Sequence, residues 1–197
     1  MLNRSSWRCC LIAALVLISG ACRGTRRLPL DYVAPPADNI GRKAHVFVAP
    51  VVDARETRPM QIGELEHGTR IETERDEDSL AKALGSALRE ELRALGYRCR
   101  HDEREVQLAV TIREWSWQEM GIQARFRCAL DVAVLDPLAS RVRDRALVTY
   151  ELTATARPQD GAWPALAAAH PKAFAEVVQK CLRENAVVLA ALAGATR

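Results

Sequence analysis

The sequence has no N-terminal apolar run long enough to cross a bilayer. The run from Cys9 to Ala21 stops before Arg23, Arg26 and Arg27, whereas a spanning helix needs about 20 apolar residues. No sign of charge dominates either. There are 28 Lys and Arg against 25 Asp and Glu, interleaved along the chain, which excludes the basic stripe of a nucleic-acid binder. The phosphate-cradling P-loop, the dinucleotide glycine fingerprint and the G-x-S-x-G elbow are all missing. The four histidines, His45, His67, His101 and His170, include no i, i+4 pair that would grip a metal from one helix face. There is no C-x-x-C, no internal repeat and no extended low-complexity segment. No enzyme class is left with a motif behind it, so the expectation is no catalytic residue, no cofactor, no metal and no nucleic-acid partner.

What is present begins with that N-terminal run. Arg4 and Arg8 precede it, and Ser19, Gly20 and Ala21 place small residues directly before Cys22. A basic start, a short apolar stretch and small residues at the cut describe a cleaved signal. The segment resembles a bacterial lipoprotein signal with its lipobox, although Ser19 stands where that signal usually has Leu. The resemblance implies removal of residues 1–21, a thioether-linked diacylglycerol on Cys22 and an acylated new amine. Several acyl chains anchor far more firmly than one. The same small residues also fit ordinary secretory cleavage with Cys22 incidental. Arg23 follows, where enteric inner-membrane lipoproteins carry Asp, so the resemblance implies an outer-membrane anchor facing the periplasm.

Without Arg4 and Arg8 the charge balance is 26 against 25. Residues 22–42 carry Pro29, Pro35 and Pro36 among polar residues and read as the lipidated N-terminus and a flexible tether, with a reach of roughly 25 Å. Residues 43–197 are of single-domain length. Three cysteines remain there, Cys99, Cys128 and Cys181. Cys128 and Cys181 fall on apolar faces, either as free buried thiols or as a disulfide pair.

Val46 to Val52 predicts a central strand, closed by Asp53-Ala54-Arg55. Residues 54–77 predict a long charged loop, with a small strand around Arg70 to Thr73. Asp78 or Ser79 would cap a helix whose inner stripe is Leu80, Ala83, Leu84, Ala87, Leu88, Leu92 and Leu95. Lys82, Arg89, Glu90, Glu91 and Arg93 take the outer positions, and Gly96 is a C′ glycine. Three alternating segments follow, through Leu108–Ile112, Phe126–Val134 and Ala146–Ala154, with turns near Met120-Gly121 and Asp136-Pro137. Pro171 would open a last helix reaching Leu192. The expected architecture is α+β. It is a two-layer sandwich of a mainly antiparallel sheet, about four to five strands, with two amphipathic helices on one face.

Trp115 and Trp117 share parity with Thr111 and Arg113, so an unbroken strand would project them from the wet face. Exposed indoles beside Arg113 would make a protein interface, whereas a bulge or covering loop would make them core. Asp53 and Arg55 form either a working ion pair or the cap of a strand end. Glu64, Glu66, His67, Glu72, Glu74, Asp76 and Glu77 make the long loop acidic, a place for a divalent cation or a solvated charge run. Asp53, Arg55 and His67 are its candidate contacts.

The strand ending in "VVDAR", the helix ending in "LRALGY", the strand "VQLAVTI", the C-terminal helix and the cysteine at 22 together resemble the small YajG-like envelope lipoproteins of bacteria. That resemblance implies a non-enzymatic protein, held to the membrane through lipid on Cys22 and acting on another envelope protein as an interaction or assembly factor. A looser likeness to auxiliary subunits of lipid-transport or lipopolysaccharide-assembly systems implies a ligand-binding or accessory role.

Overall fold

The computed structural model describes residues 24–36, 44–56, 60–65, 68–73, 80–100, 102 and 105–194. In chain order its elements are β1 (Thr25–Leu28), β2 (His45–Val48), β3 (Val52–Asp53), β4 (Gln61–Glu64), β5 (Arg70–Thr73), α1 (Leu80–Ala94), β6 (Arg98–Cys99), β7 (Val106–Met120), β8 (Gln123–Asp136), β9 (Arg141–Thr155), α2 (Ala162–Cys181) and α3 (Ala186–Ala193).

The three alternating segments become the long strands β7, β8 and β9, paired antiparallel from Met120↔Gln123 and Gln123↔Thr155 down their lengths. Gly121, at φ 66°, supplies the left-handed residue in the two-residue loop between β7 and β8. The sheet is nevertheless larger than expected and is mixed. Among the described residues it has nine strands, and β7 is long enough for three short strands to share its second edge in succession. Val46 aligns with Val106, Val52 with Thr111 and Gly63 with Trp117, all three strands running parallel to β7. β6 lies outside β2, β5 outside β4, and β1 outside β5. The run expected as one strand is split between Val48 and Val52 around Pro50, which has no N–H to give a ladder.

Among the described residues there are three helices rather than two. α1 ends in the arrangement its glycine predicts. Gly96 sits at φ 90°, its N–H bonded to the Arg93 carbonyl and that of Tyr97 to Leu92, a Schellman closure. α2 starts at Ala162 and carries Pro171 inside it rather than at its first turn. It ends at Cys181, where the N–H groups of Leu182 and Glu184 both turn back to the Gln179 carbonyl. Asn185 then caps α3, its side chain accepting from the Val188 N–H at 3.1 Å.

The core lies between one sheet face and the helices. Leu108, Val110, Ile112, Phe126, Leu130 and Val132 meet Leu84, Leu88, Leu166, Phe174 and Val178 there. The opposite face of β7, β8 and β9 stays open, with Arg113, Arg127, Arg145 and Thr149 exposed on it. Among the described residues β9 pairs only with β8, leaving its outer edge without a strand.

The segment expected as a flexible tether is folded over residues 24–36. Thr25 to Leu28 pair parallel with Arg70 to Thr73, and Leu28 is buried. Leu30 and Tyr32 pack against the core beyond it. Leu28, Leu30 and Tyr32 alternate inward, the two-residue period of an extended strap. Among the described residues no helix is long and apolar enough to cross a membrane.

Candidate functional site

The tryptophans decide where a site is not. Ile112 pairs with Leu130 but Glu114 pairs with Ala129, so one extra residue enters β7 at Arg113. This bulge reverses the parity. Arg113 and Glu114 are both exposed in succession, and Trp115 and Trp117 turn inward, 2 % and 1 % exposed. They are core residues, not the interface their uninterrupted parity predicts. Trp115 meets Phe126 and Phe174 edge-on, at 5.2 and 5.7 Å between ring centres, and Trp117 lies 5.1 Å from Phe126.

Trp117 also donates from Nε1 to His170 Nδ1 at 3.0 Å. The imidazole proton therefore belongs on Nε2, a buried nitrogen beside the Pro29 backbone. Burial drives the His170 pKa down to about 4, with the Pro29 backbone pulling the other way. His170 is neutral at pH 7. Beside the cluster, burial pushes the Cys128 thiol far up and that of Cys181 up to about 12. Such thiols are not nucleophiles at neutral pH. Cys99, Cys128 and Cys181 are all free, so the disulfide alternative is not the arrangement seen.

Asp53 and Arg55 do come together, at the exit of β3. The Asp53 carboxylate accepts from Arg55 Nη2 at 2.7 Å and Nε at 2.8 Å, as well as from its backbone N–H. Arg55 Nη1 reaches the carbonyls of Gln61 and Trp115 at 2.9 and 3.2 Å. The guanidinium thus ties β3, the start of β4 and the post-bulge part of β7 into one junction. At 4 % side-chain exposure it is enclosed by that junction. The geometry is that of a closed strand end, the plainer of the two alternatives. Gly63 completes the junction, since a Cβ there would stand 2.5 Å from the Trp117 carbonyl oxygen.

Arg113 remains on the open face, with Asp131 between it and Arg145. Arg145 donates to both Asp131 oxygens and Arg113 adds a bond at 3.2 Å. These cations, Arg145 first, hold the Asp131 carboxyl down at about 2. Leu147, paired with Asp131 in register, is 69 % exposed beside them. This mixed patch is a candidate contact surface on the open face of the sheet. At the end of the same sheet Arg143 bonds Asp136 and the Ala191 carbonyl, placing a cation on the C-terminus of α3.

Sequence reasoning missed the clamp on the N-terminal strap. Glu91 sits on the inner stripe of α1, not its outer face, and is wholly buried. Its carboxylate accepts from the Tyr32 hydroxyl at 2.5 Å and from Arg183 Nε at 2.8 Å. Arg183 also donates to the carbonyls of Pro35 and Pro36. At the other end of the strap the Arg26 guanidinium lies over the Trp163 ring, 5.3 Å from its centre. The signals were present: Glu91 falls three residues after Leu88 on the apolar stripe, and Leu28, Leu30 and Tyr32 alternate.

Cys22 and His67 lie outside the described residues, as do Glu66, Glu74, Asp76 and Glu77 of the acidic loop; within the span expected as loop, residues 61–64 and 70–73 instead form β4 and β5. Among the described residues no group of three or more His, Cys, Asp or Glu is placed to hold a metal.

No protein-family profile matches the chain. No curated protein matches it either. Its architecture is similar to that of protein XCC0632 from Xanthomonas campestris, described under family DUF330, with a TM-score of 0.63 at 15 % identity over 86 % of this chain and 96 % of that one. A lipoprotein candidate from Caulobacter crescentus aligns over 56 % of this chain and 81 % of its own, at 20 % identity and a TM-score of 0.37. The protein CT253 of Chlamydia trachomatis aligns over 77 % and 99 %, at 11 % identity and a TM-score of 0.42. The chain therefore shares its α+β fold with the Xanthomonas DUF330 protein.

Proposed function

We propose that the protein is a lipid-anchored envelope protein, carrying its acyl chains on Cys22 and working by contact with another envelope component rather than by catalysis. The outer membrane facing the periplasm is the compartment this reading assigns, and kinship with the YajG-like lipoproteins belongs to it. One relationship carries the proposal: the first strand among the described residues begins at Thr25, three residues past the lipobox cysteine. Cleavage before Cys22 would leave every described element intact. The interior chemistry agrees with a non-enzymatic role, since Arg55, Asp53, Glu91 and His170 are each engaged in holding elements together.

The contact surface we assign is the open face around Arg113, Asp131, Arg145 and Leu147, not the tryptophans. An exposed leucine ringed by charge suits a protein partner, with an apolar anchor and a polar rim. A partner within an envelope lipid-transport or lipopolysaccharide-assembly system would use the same surface. By contrast, the rings of Trp115, Trp117, Phe126 and Phe174 stand where an acyl chain would lie between sheet and helix.

Metabolic labelling with palmitate tests the anchor. Labelling and membrane retention are expected of the native chain and lost in Cys22→Ala; unlabelled native protein refutes the proposal. In-cell photo-crosslinking from Leu147 and from Trp115 tests the surface. Adducts are expected from the former, and adducts from Trp115 alone would overturn the assignment.

A further inference from the structure

The strap changes what the anchor does. Thr25 aligns with Arg70, Arg70 with Glu64, Glu64 with Gln118, and Gln118 with Arg125. The start of β1 is therefore level with the β7–β8 hairpin tip at Met120, Gly121 and Ile122, at the same pole of the sheet. Arg125 aligns in turn with Thr153, and the Ala156 N–H bonds the Ile122 carbonyl. The exit of β9 and the first turn of α2, with Trp163, thus lie at this pole as well.

Cys22 precedes Thr25 by three residues, and three residues span at most about 11 Å. That distance holds only while the strap stays on the body, which Tyr32, Glu91 and Arg183 secure. A 20-residue tether could have let the domain stand clear of the membrane in any orientation. A three-residue link cannot.

We propose that this pole rests on the phospholipid headgroups, with the Met120–Ile122 tip and the Arg26–Trp163 pair as its membrane contacts. The inference rests on lipidation of Cys22. Met120 and Ile122 are 43 % and 41 % exposed at the hairpin tip, apolar side chains with no need of water. A half-buried indole under a guanidinium is suited to the headgroup boundary, where an apolar ring and a charge are both accommodated. Net charge adds only modestly: Arg26, Arg27, Arg70, Arg125 and Arg157 are offset in part by Glu64, Glu119 and Asp160 at the same end. Link length and the apolar tip carry the orientation.

The opposite pole provides the control. Leu138, in the β8–β9 turn, is 81 % exposed and lies a whole β8 strand away, roughly 40 Å. The full lipidated chain, carrying Cys99→Ser so that no accessible native thiol competes, is placed in vesicles of phosphatidylethanolamine and phosphatidylglycerol, with an environment-sensitive fluorophore on Ile122→Cys or Leu138→Cys. Lipids carrying a quencher at headgroup level are then added. Both positions are exposed, so neither substitution threatens the fold. The expected result is loss of most of the emission from position 122 and none from 138. Equal responses, quenching at 138 alone, or quenching at neither position overturns the orientation while palmitate labelling still supports the anchor. Absent labelling removes both.

Discussion

Tyr32 donates its hydroxyl to Glu91 at 2.5 Å across 59 positions of sequence, and Arg183 grips the same carboxylate from the C-terminal side. A wholly buried carboxylate thus holds a strap, a helix end and α1 together. Removing it leaves a cation and a phenol without their acceptor. Glu91→Ala is expected to lower stability by about 3 kcal/mol, the scale for breaking a buried pair with one partner kept. Urea unfolding measures the loss. Hydrogen exchange should in addition rise selectively at residues 30–36, and protection unchanged there would show the clamp to be unimportant to the strap.

Acid should expose the His170 contact. Its pKa is about 4 in the folded chain, against an ordinary 6.5, so between these values the unfolded chain binds the extra proton. Stability is then complete above about pH 6.5 and declines as pH falls towards 4, by at most about 3 kcal/mol. Urea midpoints at pH 7 and pH 5 would register the decline. His170→Gln keeps an acceptor for Trp117 and removes the titration, so the variant should lose most of the slope over this interval; an unaltered slope assigns it elsewhere.

The junction of β3, β4 and β7 should be intolerant of small changes. Arg55→Lys keeps the charge but loses the planar fork that spans Asp53 and two carbonyls, at an expected cost of about 2 kcal/mol. Gly63→Ala places a methyl against the Trp117 backbone, which cannot yield as a side-chain tip would. Its cost should be about 1–3 kcal/mol, as for overpacking. Thermal melts of both variants would measure these losses, and native-like melting of Gly63→Ala would mean that β4 moves away from β7 freely.

Thiol labelling of the native protein should proceed at Cys99 before Cys128 or Cys181. Burial raises all three thiols, but Cys99 alone is partly open, bonded to the Arg89 carbonyl at 3.5 Å. Cys128 and Cys181 should react only on unfolding. Two body thiols missing from the denatured, unreduced protein would instead reveal a disulfide.

The long strands and the closure of α1 were legible because each rests on local chemistry: period-two alternation in β7, β8 and β9, and a glycine at a left-handed position. The Asn185 cap was equally local, yet the apolar run through Val188 to Leu192 reads as one helix with its predecessor. For Trp115 and Trp117 the alternation leaves wet face and core both open, because a bulge at Arg113 has no side-chain signature, and a single inserted residue inverts every position after it. Glu91 was placed on the solvent side of α1 by its charge, whereas helical spacing alone puts it inward. Its partners Tyr32 and Arg183 lie too far along the chain for spacing to connect them. Proline and polarity made residues 24–36 look loose, although the alternation of Leu28, Leu30 and Tyr32 said otherwise.

The three short strands along one edge of β7 set an order of assembly. His45–Val48 and Val52–Asp53 are synthesised early, but their partners lie at residues 98–112. The β7–β8–β9 meander needs only neighbouring sequence and can close as soon as it is made, whereas the early strands wait unpaired for some fifty residues. Contacts so separated in sequence form late. The N-terminal half is accordingly the part of this chain most in need of protection while it is being made, since among the described residues β2 and β3 have no strand partner before residue 98.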